Sequence, residues 1–356
     1  MRRLLLLVLI ALLPFCFFQP SPSIAASAGE ILAKYASLSR EVREKALIEG
    51  ARREGRVAFW GVLTAPDFQA VSTAFKKRYS GVDVEYFRSG PERNVTRLMS
   101  EAKAGRYEVD LFQNTSVGTW AVMQRGFVDF YLSSEAEFLK KGLHDVTGSW
   151  HALHHLFVVL AFNTNLVSKN DAPRNYQELL DSKWKSKLSM DTEDYDVLTA
   201  LEIAWGEQKA TTYLKALAQQ DVKLVRGRTH QAQLLAAGEF PVSIGLYLHR
   251  IAVLKAQGAP VDYLLFDPLV SKPIPVTLMK NAPHPHAAAL FLDWALSQDG
   301  PMRLLAEEYG RGVPRSGYKE RFPELKASKY LVVSPEKIGP AYQEHRRLYC
   351  EIFKHC

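Results

Sequence analysis

The stretch LFVVLAFNTNLV, residues 156–167, decides the fold. It opens with an unbroken run of apolar residues, which is typical of a strand that is buried on both faces. A segment of weak periodicity, residues 130–155, precedes it, and a new series of strands and helices follows it. We therefore predict a long strand that leaves one lobe of the protein and enters another.

Strands and helices alternate on the amino-terminal side of this stretch. Short apolar runs predict strands at RVAFWGV (56–62), VDVEYF (82–87) and EVDLFQ (108–113). Apolar residues at helical spacing predict helices over residues 30–55, 66–79 and 89–105, the last with Ser89 as a candidate cap. Single helices between strands indicate parallel crossovers and a covered sheet, so the predicted fold class is α/β.

A second series follows on the carboxyl-terminal side. Strands are predicted at KLSM (187–190), VKLVR (222–226) and PVSIGLY (241–247), with helices between them. After VDYLLF (261–266), the segment KPIPVTLMK (272–280) is predicted to be a second crossing strand, followed by a helix. No internal repeat is present.

The amino terminus has the pattern of a cleavable signal peptide. Arg2 and Arg3 precede an apolar core, Leu4 to Leu13, and Ala26-Ser27-Ala28 is a small-x-small cleavage signal. We predict residues 1–28 as a signal peptide cleaved near Ala28, and a periplasmic mature protein. About 330 residues remain, which exceeds the usual single core and suggests two lobes.

Charge and cysteine content limit the classes of partner. The formal net charge is +7, but no block of lysine and arginine appears, so we expect no nucleic-acid partner.

Cys350 and Cys356 lie at the carboxyl terminus of a chain predicted to be exported, where disulfides are permitted. The sequence leaves open whether they form a disulfide or remain two thiols.

One cluster invites a catalytic interpretation. His151 and His155 have the helical spacing of zinc ligands, but no glutamate lies between them in the metalloprotease arrangement. With His154, they are predicted to form a surface histidine cluster. Neither a G-x-S-x-G elbow nor a Walker loop occurs. We expect no catalytic residues, and keep a secreted hydrolase as the alternative class.

The order of segments resembles the extracellular solute-binding proteins of ABC importers, in the two-lobed group that includes ferric-ion binders. The segments that carry the resemblance include EGARREGRVAFWG, FQAVSTAFKKRYSGVDVEYFRSG, EVDLFQNTS, VVLAFNTNLV, RTHQAQLLAAGEFPVSIGLY and APHPHAAALFLDWALSQDG. The resemblance implies a Venus-flytrap fold with a hinge of crossing strands, one small solute in the cleft and an inner-membrane ABC permease as partner. We expect a monomer. The sequence does not decide whether the protein serves solute import or sensing.

The resemblance also implies a division of the chain. The first lobe is predicted to comprise residues 29–155 and 268–312, and the second residues 156–267. Residues 313–356 are predicted to form a helical tail that packs back on the body, with apolar residues from Glu336 to Phe353 at helical spacing.

The loops that follow strands are the candidate ligand contacts. In open α/β sheets, ligands bind outside the carboxyl ends of the strands, near helix N-termini. Small hydroxyl residues and glycines let the backbone approach a ligand, although each such loop is also an ordinary helix cap. The candidate ligand-binding residues are Trp60, Thr64, Ser89, Gly90, Asn114, Thr115, Asp191, Tyr195, Arg226, Tyr247 and His249.

Two kinds of ligand fit these residues. Ferric binders of the resembled group supply phenolates, often as adjacent tyrosines at the strand end that matches GLYLHR (245–250), but Leu248 follows Tyr247 here. Tyr195 and Tyr247 are the candidate metal ligands, with a synergistic anion held by an arginine. The alternative is direct binding of a carboxylate or phosphonate by Arg226, Arg228 or Arg250, since guanidinium pairs bidentately with oxyanions. We place Fe(III), as transported ligand, ahead of the oxyanion, and expect no required cofactor.

Overall fold

The computed structural model describes residues 26–319, 321–326 and 328–355. The predicted signal peptide therefore lies, up to residue 25, outside the described residues. Within the described ranges, no helix is long and apolar enough to cross a membrane.

Strands and helices alternate along the chain, as the apolar periodicity predicts. The strands are β1 (Arg56–Gly61), β2 (Asp83–Arg88), β3 (Leu111–Gln113), β4 (His151–Asn163), β5 (Leu188–Asp191), β6 (Lys223–Val225), β7 (Val242–Tyr247), β8 (Val261–Leu264), β9 (Leu269–Leu278) and β10 (Tyr330–Val332). The helices are α1 (Ala28–Ala33), α2 (Arg40–Glu54), α3 (Ala65–Arg78), α4 (Pro91–Lys103), α5 (Ser116–Met123), α6 (Tyr195–Trp205), α7 (Glu207–Ala218), α8 (Arg228–Ala237), α9 (Leu248–Ala256), α10 (Pro285–Leu296), α11 (Pro335–Ile338) and α12 (Tyr342–Phe353). The predicted α/β class is confirmed.

The strands form one mixed sheet of ten. Its order is β2-β1-β3-β9-β4-β7-β5-β6, with β10 paired to β9 and β8 paired to β4. Strands β1, β2 and β3 are parallel to one another, as are β5, β6 and β7. The two parallel sets belong to the two lobes, and the antiparallel pair β4 and β9 joins them.

The crossing strands form the centre of the sheet. All 13 residues of β4 are buried. Strand β4 pairs with β9 from His151 opposite Val276 to Val158 opposite Val270, with a register shift between Ala152 and His154. The predicted crossing strand at residues 156–167 is therefore present, and it begins earlier, at His151.

Two large hydrophobic cores lie on either side of this crossing. The first is built from residues between Ala28 and Leu153 and between Val276 and Val313, and includes Phe59, Phe75 and Phe291. The second is built from residues between Val158 and Val270, together with Val333, Ile338 and Tyr349 of the carboxyl-terminal segment. This is a two-lobed arrangement, while the exact lobe boundaries stay a prediction.

The carboxyl-terminal segment, residues 330–355, contacts both lobes, and we call it the C-terminal tail. The Ser116 hydroxyl of α5 donates to the Val333 carbonyl at 2.9 Å, on the first-lobe side. On the second-lobe side, the Tyr349 hydroxyl donates to the Asp191 carbonyl at 2.6 Å. Cys350 is disulfide-bonded, and its partner is not among the described residues.

The predicted surface histidine cluster is wrong. His151, His154 and His155 lie in β4 with relative exposures of 1%, 2% and 1%. The strand is covered on both faces, so its polar residues are buried as well. Because these histidines lie on a strand, the four-residue spacing of His151 and His155 does not form a helical zinc site. The Nδ1 of the His155 ring is hydrogen-bonded to the Ser271 hydroxyl at 2.8 Å.

Three helix boundaries also differ from the prediction. The helix predicted over residues 30–55 is two helices, α1 and α2. The predicted helical tail, residues 313–356, contains a strand, β10, which pairs with β9 and precedes the two helices α11 and α12. Gly90, and not Ser89, is the N-cap of α4, since Pro91 takes the first helical position.

Candidate functional site

A cleft of about 800 Å³ lies between the two parallel strand sets. The first lobe contributes the starts of α4 and α5, and the second contributes the residues that follow β5, β6 and β7. Lys272 of crossing strand β9 and Ile338 and Tyr342 of the C-terminal tail complete the lining. The location agrees with the rule that ligands bind beyond the carboxyl ends of parallel strands.

Four helices begin at this cleft. Gly90 caps α4 without a side-chain bond, and the Thr115 hydroxyl caps α5 by accepting from the Gly118 amide at 3.3 Å. Asp194 and Gly227 occupy the N-cap positions of α6 and α8. The first amides of a helix have no acceptor within it, and its dipole is positive at that end. The convergence of four such ends favours a negatively charged group in the cleft.

Buried ion pairs line the second-lobe side. The Arg228 guanidinium donates to Asp194, and to Asp196 at 3.4 Å, while the Lys272 ammonium donates to Asp196. Burial raises the pKa of Asp194 to about 7, against the attraction of Arg228. Burial alone would lower the pKa of Lys272, but Asp196 outweighs it and the net change is upward. Arg228 and Lys272 are thus already ion-paired with acidic residues of the protein.

Glycine at position 245 makes this network possible. Its φ is +84°, a left-handed conformation that glycine adopts without strain. A Cβ at this position would overlap the Asp194 carboxylate. The glycine of GLYLHR therefore lets Asp194 reach the backbone of β7.

Asp191 ties the ends of β5 and β6 together. Its carboxylate accepts from the Glu193 amide and from the Gly227 amide, each at 2.9 Å. Its carbonyl accepts from Tyr349 of the C-terminal tail. This acid therefore holds the loop before α8 in place, in addition to lining the cleft.

Three tyrosines line the cleft. The ring of Tyr195 packs edge to face against that of Tyr342, with centroids 5.5 Å apart. Burial raises the pKa of Tyr195 to about 12 and also raises the pKa of Tyr342. The third ring, Tyr247, lies 4.8 Å from the Arg228 guanidinium in a cation–π contact.

The cleft continues outward into a second cavity of about 510 Å³, which we call the outer cavity. It shares several lining residues with the cleft, and the C-terminal tail contributes two more, Arg346 and His355. The lining residues are Glu92, Thr96, Thr192, Glu193, Tyr195, Arg226, Tyr342, Arg346 and His355.

The structure brings together six of the eleven candidate residues. The residues that line the cleft are Gly90, Thr115, Asp191, Tyr195, Arg226 and Tyr247. Each of them lies at the end of a strand, directly after a strand or at the start of a helix.

The other five candidates lie outside the cleft lining. Trp60 is buried under the Arg97 guanidinium, 4.5 Å from its ring, and the Thr64 hydroxyl caps α3. The Ser89 carbonyl accepts from the Asn94 side chain at 3.4 Å.

Asn114 has a positioning role, because its side chain donates to the Pro91 carbonyl at 3.1 Å and accepts from the Thr115 amide at 2.8 Å. His249 is part-buried, and its ring stacks on that of Tyr247 with centroids 5.8 Å apart. Burial lowers its pKa to about 3, and the neighbouring charges of Arg311 and Arg250 act in the same direction.

Sequence reasoning missed several lining residues. Lys272 carries a signal, because it is the charged residue within the apolar strand LVSKPIPVTL. Thr229 lies on α8, directly after Arg228, one of the predicted anion-binding arginines. Tyr342 and Arg346 belong to the tail, and no local pattern places them at the cleft.

No group of three or more histidine, cysteine, aspartate or glutamate residues in the described ranges could hold a metal ion.

Comparisons with known proteins agree with this architecture. A family model described as bacterial extracellular solute-binding protein matches residues 120–338, more than half of the chain. Iron uptake protein A2 of Synechocystis sp. is 26% identical over 246 residues, which cover 63% of this chain and 70% of that protein.

Solved structures show the same fold at low sequence identity. The periplasmic binding protein AfuA from Actinobacillus pleuropneumoniae, solved with exogenous fructose-6-phosphate bound, is 21% identical with a TM-score of 0.72, covering 85% of this chain and 100% of that one. A Trichodesmium protein (IdiA, FutA) in complex with iron and citrate is 17% identical with a TM-score of 0.72, covering 84% of this chain and 99% of that one.

Proposed function

The chain belongs to the bacterial extracellular solute-binding protein family, and on that premise we propose that it is the periplasmic binding component of an ABC importer. Its cleft is proposed to hold a small hydroxyl-bearing organic anion, such as a sugar phosphate or a hydroxycarboxylate, for delivery to an inner-membrane permease. The convergence of four helix N-termini on one cleft carries this proposal.

The start of α8 is the proposed site of the anionic group. Helix α8 begins at Arg228, and its first intrahelical bond runs from the Gln231 amide to the Gly227 carbonyl. The amides of the first turn therefore have no acceptor within the helix. The Thr229 side chain lines the cleft beside them, and Arg226 adds a guanidinium. An oxyanion here would receive charge-assisted hydrogen bonds.

The rest of the cleft suits an organic body better than a bare ion. Its volume of about 800 Å³ falls in the range of pockets that enclose organic ligands. Glu92 and Glu193 face the same space and are hydrogen-bond acceptors for ligand hydroxyls. The bound fructose-6-phosphate in the AfuA structure combines these two chemistries, phosphate and hydroxyl, on a similar fold.

Ferric iron is the second candidate, and one observation favours it. Tyr195, Tyr342, Glu92 and Glu193 supply hard oxygen donors around the outer cavity. The Synechocystis iron uptake protein and the Trichodesmium iron complex are consistent with this candidate.

Tyr247 is a poor position for a trivalent cation, because the Arg228 guanidinium covers its ring and Lys272 is nearby. We therefore replace the predicted pair Tyr195 and Tyr247 by Tyr195 and Tyr342 in the iron candidate.

Non-denaturing mass spectrometry of the purified protein would report organic ligand, metal or neither. Titration calorimetry with fructose 6-phosphate and with citrate then tests the anion site directly. We expect Thr229→Val to weaken binding about tenfold, because a hydrogen bond to a charged group is lost. Thr212→Val is the matched control, since Thr212 is exposed on α7 and lies outside the cleft lining.

Equal affinities in the two variants would contradict the anion site. A visible charge-transfer band that Tyr195→Phe abolishes would favour iron instead. Turnover of a phosphate ester, lost on a cleft substitution, would replace the transport proposal by the hydrolase alternative.

A further inference from the structure

We propose that Arg226 and Arg346 form a second anion-binding subsite in the outer cavity, so that the natural ligand carries two anionic groups. This inference rests on the proposed function, because it assigns the far end of the same ligand. It also makes the C-terminal tail part of the binding site.

The outer cavity is a continuation of the cleft. Arg226 lines both spaces, so a ligand held at the start of α8 extends past this residue into the outer cavity. Arg346 lines only the outer cavity and approaches it from α12. The two guanidiniums therefore belong to different elements and share one concave space.

Ion pairing distinguishes these arginines from the two buried cations of the site, while Arg93, at the start of α4, also lines the cleft without an ion pair among the described residues. Arg228 and Lys272 are buried against Asp194 and Asp196. In the ranges that the structure describes, neither Arg226 nor Arg346 makes an ion pair. An uncommitted guanidinium in a cavity is suited to bidentate binding of a phosphate or carboxylate.

The acidic residues that line the outer cavity repel a bound anion when they are ionised. Glu92 and Glu193 both line it. Burial raises the pKa of Glu193, and the neighbouring charges of Glu92 and Asp191 add to the increase. Glu193 therefore loses its proton at a higher pH than an ordinary glutamate, which reduces the range of pH over which it repels an anion.

Helix α12 holds Arg346 in a defined place. Tyr342 and Arg346 are four residues apart and share one face of the helix. The ring of Tyr342 packs against Tyr195, and on the other side of the turn the His345 Nε2 lies 2.6 Å from the Glu202 carboxylate. The next residue, Arg347, is exposed and lines neither cavity.

Titration calorimetry of the full mature chain with a hexose monophosphate and a hexose bisphosphate tests the subsite. The wild-type protein should bind the bisphosphate more tightly. Arg346→Gln should weaken bisphosphate binding about tenfold and monophosphate binding less than about twofold. Arg347→Gln, the matched control, should change neither.

Equal effects of Arg346→Gln and Arg347→Gln on the bisphosphate would overturn the outer subsite and leave the proposed function standing. Equal weakening of both sugars by Arg346→Gln would also overturn it, because the second phosphate would then make no separate contact. A wild-type protein that binds neither sugar would overturn the subsite, and one that also fails to bind citrate would overturn the proposed function as well.

Discussion

Acid should destabilise this protein through the imidazoles of the crossing strand, and His151 allows the effect to be isolated. His151 is 1% exposed, and neither of its ring nitrogens has a hydrogen-bond partner among the described residues. Burial lowers its pKa to about 3, and the neighbouring His144 acts in the same direction. In an unfolded chain, a histidine titrates near ~6.5.

The sign of the effect follows from the two pKa values. As pH falls through about 6.5, His151 binds a proton in the unfolded chain. In the folded protein, His151 binds a proton only near pH 3. Stability is therefore complete above the unfolded pKa and is lost as pH falls between the two values. At about pH 5.5, one unit below the unfolded pKa, the loss from this one residue is about 1.4 kcal/mol.

Urea unfolding of wild type and His151→Leu at about pH 7.5 and about pH 5.5 measures this contribution. The leucine variant should lose about 1.4 kcal/mol less than wild type between the two conditions, because its proton linkage is gone. His230→Leu controls for the loss of an exposed histidine. An identical pH dependence in wild type and His151→Leu would refute the reasoning.

Three further substitutions test the site's framework by unfolding in urea. Gly245→Ala should cost about 2–4 kcal/mol, because a side chain there is strained by the positive φ and overlaps Asp194; a loss below about 0.5 kcal/mol would contradict this. Tyr349→Phe should cost about 1 kcal/mol through the lost bond to the Asp191 carbonyl, and no loss would show that water replaces it. Arg228→Met should cost about 3–5 kcal/mol, because Asp194 would remain buried without its partner; a neutral result would mean that Asp194 becomes protonated at little cost.

Most of the fold was predictable from local patterns, because most strands and helices have their own apolar periodicity; β10, in the predicted helical tail, was not predicted. The run at residues 156–167 predicted a crossing strand, and β4 is that strand. The amino-terminal extension of β4 could not be predicted, because HALHH has a polar composition. Its burial arises from β9 and from the segment around Gly312, which is distant in the chain.

The candidate site was predictable where a residue follows a strand. Thr115, Asp191 and Tyr247 reach the cleft for this reason. Trp60 is the penultimate residue of β1, but Arg97 covers its ring, and only the packing of α4 determines that contact. Tyr342 reaches the cleft through the path of the tail across both lobes, and no short-range pattern encodes such a path.

The central position of β9 has a consequence for the order in which the molecule can form. Leu278 of β9 pairs with Leu111 of β3, roughly 170 residues away, and closing so long a loop slows folding. A growing chain that ends before Leu269 lacks the strand that lies between β3 and β4. Both of those strands would then have an open edge, and open edges pair with other chains. Chains truncated before β9 should therefore aggregate rather than fold one lobe at a time.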